Sequence, residues 1–212
     1  MTGRHHPITD SPDRSPPAEP DEAMPAADDP VFALLRASLD PTCHTAAVRS
    51  EHPVCRVVAA TARKDVAAGG MENISFLAAG VAFAGAAVTG LFAEHYDVEP
   101  AKLMRDLLAT AAEDRRKGRG EDVPWQDQVP AVLGAFFDPA TITEAPAIMA
   151  RVWIEGENRF YDLLVDLAAL TATMMTSLIN LKAYTQEEIF EEISRILDLT
   201  GDNDDPSRPT DD

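Results

Sequence analysis

From Ile74 to Ala93 the chain reads ISFLAAGVAFAGAAVTGLFA, twenty residues without a charge. At a helical rise this segment just spans a hydrocarbon core, so its assignment separates a membrane protein from a soluble helical one. Its composition favours the second. Ile74, Phe76, Leu77, Val81, Phe83, Val88, Leu91 and Phe92 are its strongly apolar members, each worth roughly −0.3 to −0.6 kcal/mol at the centre of a span. The remainder is Ala, Gly, Ser and Thr, which leaves insertion marginal. Glu72 stands before it, and Glu94, His95 and Asp97 follow, so the Lys and Arg bias that orients a spanning helix is missing. We expect a buried core helix, with membrane attachment through residues 74–93 as the alternative.

Within this helix Ala78, Ala82, Ala86 and Gly90 recur every four residues, opposite a ridge of Ile74, Leu77, Val81, Val88 and Leu91. A small-residue ridge lets another backbone approach closely and marks a helix–helix contact. Because the helix is apolar all round, it belongs at the centre of a bundle. The ridge is expected to pack inside the chain, and a homo-oligomer seam through the same four residues is the alternative.

Outward from this helix the signals stay helical. Val31–Leu39 forms a short apolar helix closed by Asp40-Pro41. A second starts at Pro53, which suits a first helical position, with Ser50 or Glu51 as its cap, and stops at Gly69-Gly70. Pro100 opens a third pattern ending in Arg115, Arg116 and Lys117, cations that complement a helix C-terminus. After a polar loop holding Trp125 comes a short apolar segment around 132–137. The longest pattern runs from Thr143 or Glu144 toward Lys182, with Gly156 as a kink. Arg151–Glu155 and Glu155–Arg159 are i,i+4 pairs on its exposed face. Thr185 and Glu188 form a capping box for a last helix that Gly201 ends. No sustained period-two alternation and no hairpin turn signal is present. The expected fold is all-α, a single bundle of six to seven helices over residues 31–200 with the Ala/Gly-rich helix at its centre.

The chain has 212 residues and a net charge of −18. Residues 1–30 hold seven acids, two arginines and seven of the sixteen prolines, and residues 201–212 hold five acids and one arginine. Neither segment can bury enough apolar surface to offset its ordering entropy, so both are expected to be disordered tails. The middle keeps 24 acids against 15 bases. Such a field repels phosphate backbones and favours a basic protein surface as partner. The first thirty residues lack the apolar core of a secretory signal, and two cysteines fit a reducing compartment, so a cytoplasmic location is expected.

Few residues suggest chemistry. Cys43, His44, His52 and Cys55 lie within thirteen positions, but adjacent Cys43 and His44 point apart and Pro53 restricts His52, so a tetrahedral zinc site is not expected. No nucleophile elbow, phosphate loop or Glu-x-x-His pair is present. Asp162 and Asp166 share a face beside the apolar stripe, which reads as the rim of the core. Neither catalytic residues nor a cofactor are expected. Arg115, Arg116, Lys117 and Arg119 form the one basic concentration, and with Trp125 they are candidate interaction residues. Without interleaved aromatics they fall short of a nucleic-acid patch. Trp153, Phe160, Met174 and Met175 are candidates for lining a pocket between helices. The sequence points to a non-enzymatic helical module that binds another protein. The alternative is a small-molecule-binding bundle with a Met- and aromatic-lined pocket.

Overall fold

The computed structural model describes residues 29–40, 51–117 and 128–201. Every regular element among them is helical: α1 (Pro30–Ser38), α2 (Pro53–Ala68), α3 (Glu72–His95), α4 (Pro100–Arg116), α5 (Gln128–Ala135), α6 (Glu144–Glu155), α7 (Glu157–Asn180) and α8 (Gln186–Gly201). That is one helix more than the upper expectation, because Gly156 does not kink the long pattern but divides it. Its backbone sits at φ 154°, ψ 138°, outside helical space. No neighbouring atom would obstruct a side chain there, so the backbone conformation alone calls for glycine. Arg159 reaches back across the break to Glu155 at 2.6 Å.

The local stop and start signals account for the other boundaries. Asp29, assigned from sequence to the tail, caps α1 by accepting a hydrogen bond from the Val31 amide at 2.7 Å, and Pro30 is the first residue of that helix. The expected disordered tails otherwise lie outside the described residues, apart from Gly201 at the end of α8. Helix α2 is capped by His52, not by Ser50 or Glu51: its Nδ1 accepts from the Val54 amide at 3.3 Å. Gly69 adopts the left-handed conformation that ends α2. At α8 the capping box is complete, with Glu188 Oε2 accepting from the Thr185 amide at 2.7 Å and Thr185 Oγ1 from the Glu188 amide at 3.2 Å.

Helix α3 is central, as its all-round apolar composition requires. It packs most extensively on α7 and also meets α1, α2, α4, α5 and α8, but shares no comparable interface with α6. Leu77, Val81 and Val88 of α3, Leu163, Leu164 and Leu167 of α7, and Leu133 of α5 are fully buried in one apolar core. Each such side chain contributes roughly 1.5–3 kcal/mol relative to remaining in water. Both α3 and α7 are long and apolar enough to cross a membrane, and 56% of each apolar window is buried inside the bundle. Sequence reading had singled out the first alone.

Two glycines of α3 are sites of close approach by neighbouring helices. A Cβ at Gly80 would sit 2.4 Å from Val31 Cγ2, and one at Gly85 would sit 2.7 Å from Leu133 Cδ2 and 2.9 Å from Thr171 Oγ1. The expected ridge divides. Ala82 is fully buried inside the bundle, and Ala78 is nearly so, at the floor of a groove beside α6. Ala86 and Gly90 line an outer cleft of about 460 Å³ bounded by α3, the turn after α5, and α8.

Candidate functional site

Because α3 and α6 stand apart, an apolar groove of about 510 Å³ opens between them. The N-terminal turns of α3 supply Met71, Ser75, Ala78 and Ala79, and α6 supplies Pro146, Met149, Ala150, Trp153 and Ile154, with Phe160 from the first turn of α7. On each wall the residues recur at three- and four-residue spacing, so each wall is one face of a helix. The depression continues past Met71 and Ser75 to Glu72 and Phe76. Phe76 is 75% exposed, Ile154 83% and Met71 43%. Large apolar side chains that remain this exposed around one concavity make it a candidate interaction surface.

Aromatic packing fixes the α6 wall. The Trp153 ring meets Phe160 edge-to-face at 5.2 Å and Tyr161 at 6.4 Å. The Tyr161 hydroxyl donates to Glu157. Burial, that hydrogen bond, and the nearby charges of Glu157 and Asp65 push its pKa up to about 12. It is therefore a neutral donor across the physiological range. Ser75 Oγ and the Trp153 indole N–H are the side-chain polar groups of the lining, which suits apolar recognition better than proton transfer.

The opposite wall is held by a residue that sequence reading missed. Met71, in the cap position of α3, makes no side-chain cap hydrogen bond. Asp65 reaches over from α2 instead. Its Oδ2 accepts from the Ile74 amide at 2.7 Å, and its Oδ1 accepts from the Asn73 amide at 2.9 Å and Asn73 Nδ2 at 2.8 Å. Burial opposes ionisation of Asp65, yet the hydrogen bonds from Asn73 and Ile74 outweigh it and hold the carboxyl below its ordinary value. The carboxylate thus satisfies two first-turn amides at the positive end of the helix dipole. The available signal was an acid placed just before the Gly69-Gly70 turn between two helices.

The remaining sequence candidates fall elsewhere. Of the four pocket candidates, Trp153 and Phe160 line the groove. Met174 and Met175 do not. Both are buried in the core, where Met174 Sδ accepts from Thr89 Oγ1 at 3.8 Å. Among the potential metal ligands, Cys43 lies outside the described residues. His52 Nδ1 is engaged as a helix cap, and burial together with the Asp162 carboxylate pushes the Cys55 thiol up, away from the thiolate a metal requires. Among the described residues no three His, Cys, Asp or Glu side chains converge. Of the basic cluster, Arg116 and Lys117 pair with Glu113 at 2.5 and 2.9 Å. Arg119, Trp125 and the side chain of Arg115 lie outside the described residues. Comparison with protein-family models, curated proteins and solved structures finds no match to this chain.

Proposed function

We propose that this chain is a non-catalytic helical module that binds another protein through the groove between α3 and α6. The observation that carries the proposal is the coincidence of an apolar cleft of about 510 Å³ with the exposed Met71, Phe76 and Ile154 at its margin. The net charge of −18 adds long-range attraction for basic surfaces and repulsion of nucleic acid.

The same proposal treats α3 and α7 as core helices of a soluble, cytoplasmic bundle. In its support, α2, α4 and α8 around them carry exposed charges along their length, including Arg63, Lys64, Lys102, Arg105, Glu187 and Glu191, which lipid would not tolerate. The groove volume also suits an apolar small molecule, but an enclosed site would cover Phe76 and Ile154 rather than leave them in water.

Ala150 is exposed and lines the groove, so Ala150→Arg should fill it while leaving helicity and Tm essentially unchanged. A partner retained from host extract by the wild-type protein should be lost with this variant. Equal retention by both proteins would place binding outside the groove. An extractable apolar compound displaced by Ala150→Arg, without any protein partner, would establish the small-molecule alternative.

A further inference from the structure

We infer that the occupant of the α3–α6 groove is an amphipathic α-helix whose apolar face is flanked by Lys and Arg, an inference that rests on the groove being a protein-docking site. Three features favour a helix over other peptide forms. The walls are themselves helices, whose backbone amides and carbonyls are bonded internally, so no free edge exists to pair with an extended strand. Along α3 from Met71 to Ala79, and along α6 from Pro146 to Ile154, each wall is about 12 Å long at 1.5 Å per residue. That length matches roughly two turns, enough for apolar anchors at i, i+3 or i+4, and i+7. Ser75, Ala78, Ala79 and Ala150 are small enough for a partner helix to approach closely, while Met71 and Met149 can adapt to its anchors.

Charge selects among helical partners. The ends of the three helices that build the groove carry Glu72, Glu144, Glu155 and Glu157 against Arg151 and Arg159. Arg159 and Glu155 pair with each other, which leaves Glu72, Glu144 and Glu157 against Arg151. A second copy docking through this face would bring the same acidic margins together, since a two-fold interface meets itself, and like charges there are repulsive. The chain's own terminal segments, acidic in sequence, and an anionic lipid surface meet the same objection. A basic amphipathic helix satisfies both the apolar trough and its margin.

The test is selection of a display library of random peptides, each about sixteen residues long, on the full chain, with counter-selection on Ala150→Arg. Enriched peptides should carry large apolar residues at helical spacing with flanking Lys or Arg. They should lose at least about tenfold in affinity against Ala150→Arg, and weaken as salt is raised. Enriched peptides that compete for the groove but are neutral, acidic or extended would overturn the partner class while leaving groove docking intact. If no enriched peptide is sensitive to Ala150→Arg, both fail. Concentration-dependent dimerisation abolished by Ala150→Arg would identify a second copy as the occupant and overturn the inference.

Discussion

Replacing Gly85 by leucine is expected to lower stability by roughly 2 kcal/mol, read as a fall in urea midpoint at unchanged m-value. The first added carbon alone would stand 2.7 Å from Leu133 Cδ2 and 2.9 Å from Thr171 Oγ1. Leu133 is fully buried with little room to turn away. Thr171 is held in place by donating to the Leu167 carbonyl at 2.8 Å. Departure from glycine recovers about 1 kcal/mol of helix propensity, which offsets part of the clash. At the next position Ala86→Leu should stay within about 0.5 kcal/mol, because Ala86 borders the open cleft beside α8. Equal costs at the two sites would mean that the buried seam of α3 is wider than the close approaches at Gly80 and Gly85 indicate.

Removal of the Asp65 carboxylate has the second large consequence. Asp65→Ala strips a cap from the central helix and leaves the Asn73 and Ile74 amides without their partner, the latter in a buried setting. Thermal melts should show Tm lower by several degrees, with the α3 wall of the groove loosened. The pH dependence has a definite sign. A carboxyl held below its ordinary value of 3.8 contributes stability that is fully present above that value and is lost as pH falls through the folded pKa. The stability difference between wild type and Asp65→Asn should therefore be flat from about pH 5 to pH 8 and shrink on acidification below it. A difference that grows toward low pH would show that Asp65 is not stabilised as a carboxylate.

The elements that sequence exposed are those set by local chemistry. The uncharged run of α3, the capping box at Thr185 and Glu188, and the proline and glycine punctuation around α2 act over a few residues and are visible one at a time. Gly156 was visible as an interruption, but whether it bends or breaks a helix depends on what α6 and α7 pack against. The four-residue ridge was legible only in part: Ala78 and Ala82 are buried in the core, whereas Ala86 and Gly90 border the outer cleft, because small side chains permit close approach without requiring it. The neighbours of Gly80 and Gly85, Val31 and Leu133, come from distant parts of the chain. The groove was half legible for the same reason: Trp153 and Phe160 are close in sequence, whereas Met71 and Ser75 join them only through the packing of α3 beside α6 and α7. Asp65 escaped notice because it caps a helix other than its own.

The most direct measurement is site-specific photo-crosslinking in the native host from a photoreactive residue at Ile154, which is 83% exposed at the groove margin, with Arg105 on α4 as the control position. Crosslinks from position 154 should map by mass spectrometry to an amphipathic helix with basic flanks in one partner protein. They should vanish in the Ala150→Arg background and be absent from position 105. A partner crosslinked equally from both positions, or from position 154 regardless of Ala150→Arg, would contradict docking in the α3–α6 groove.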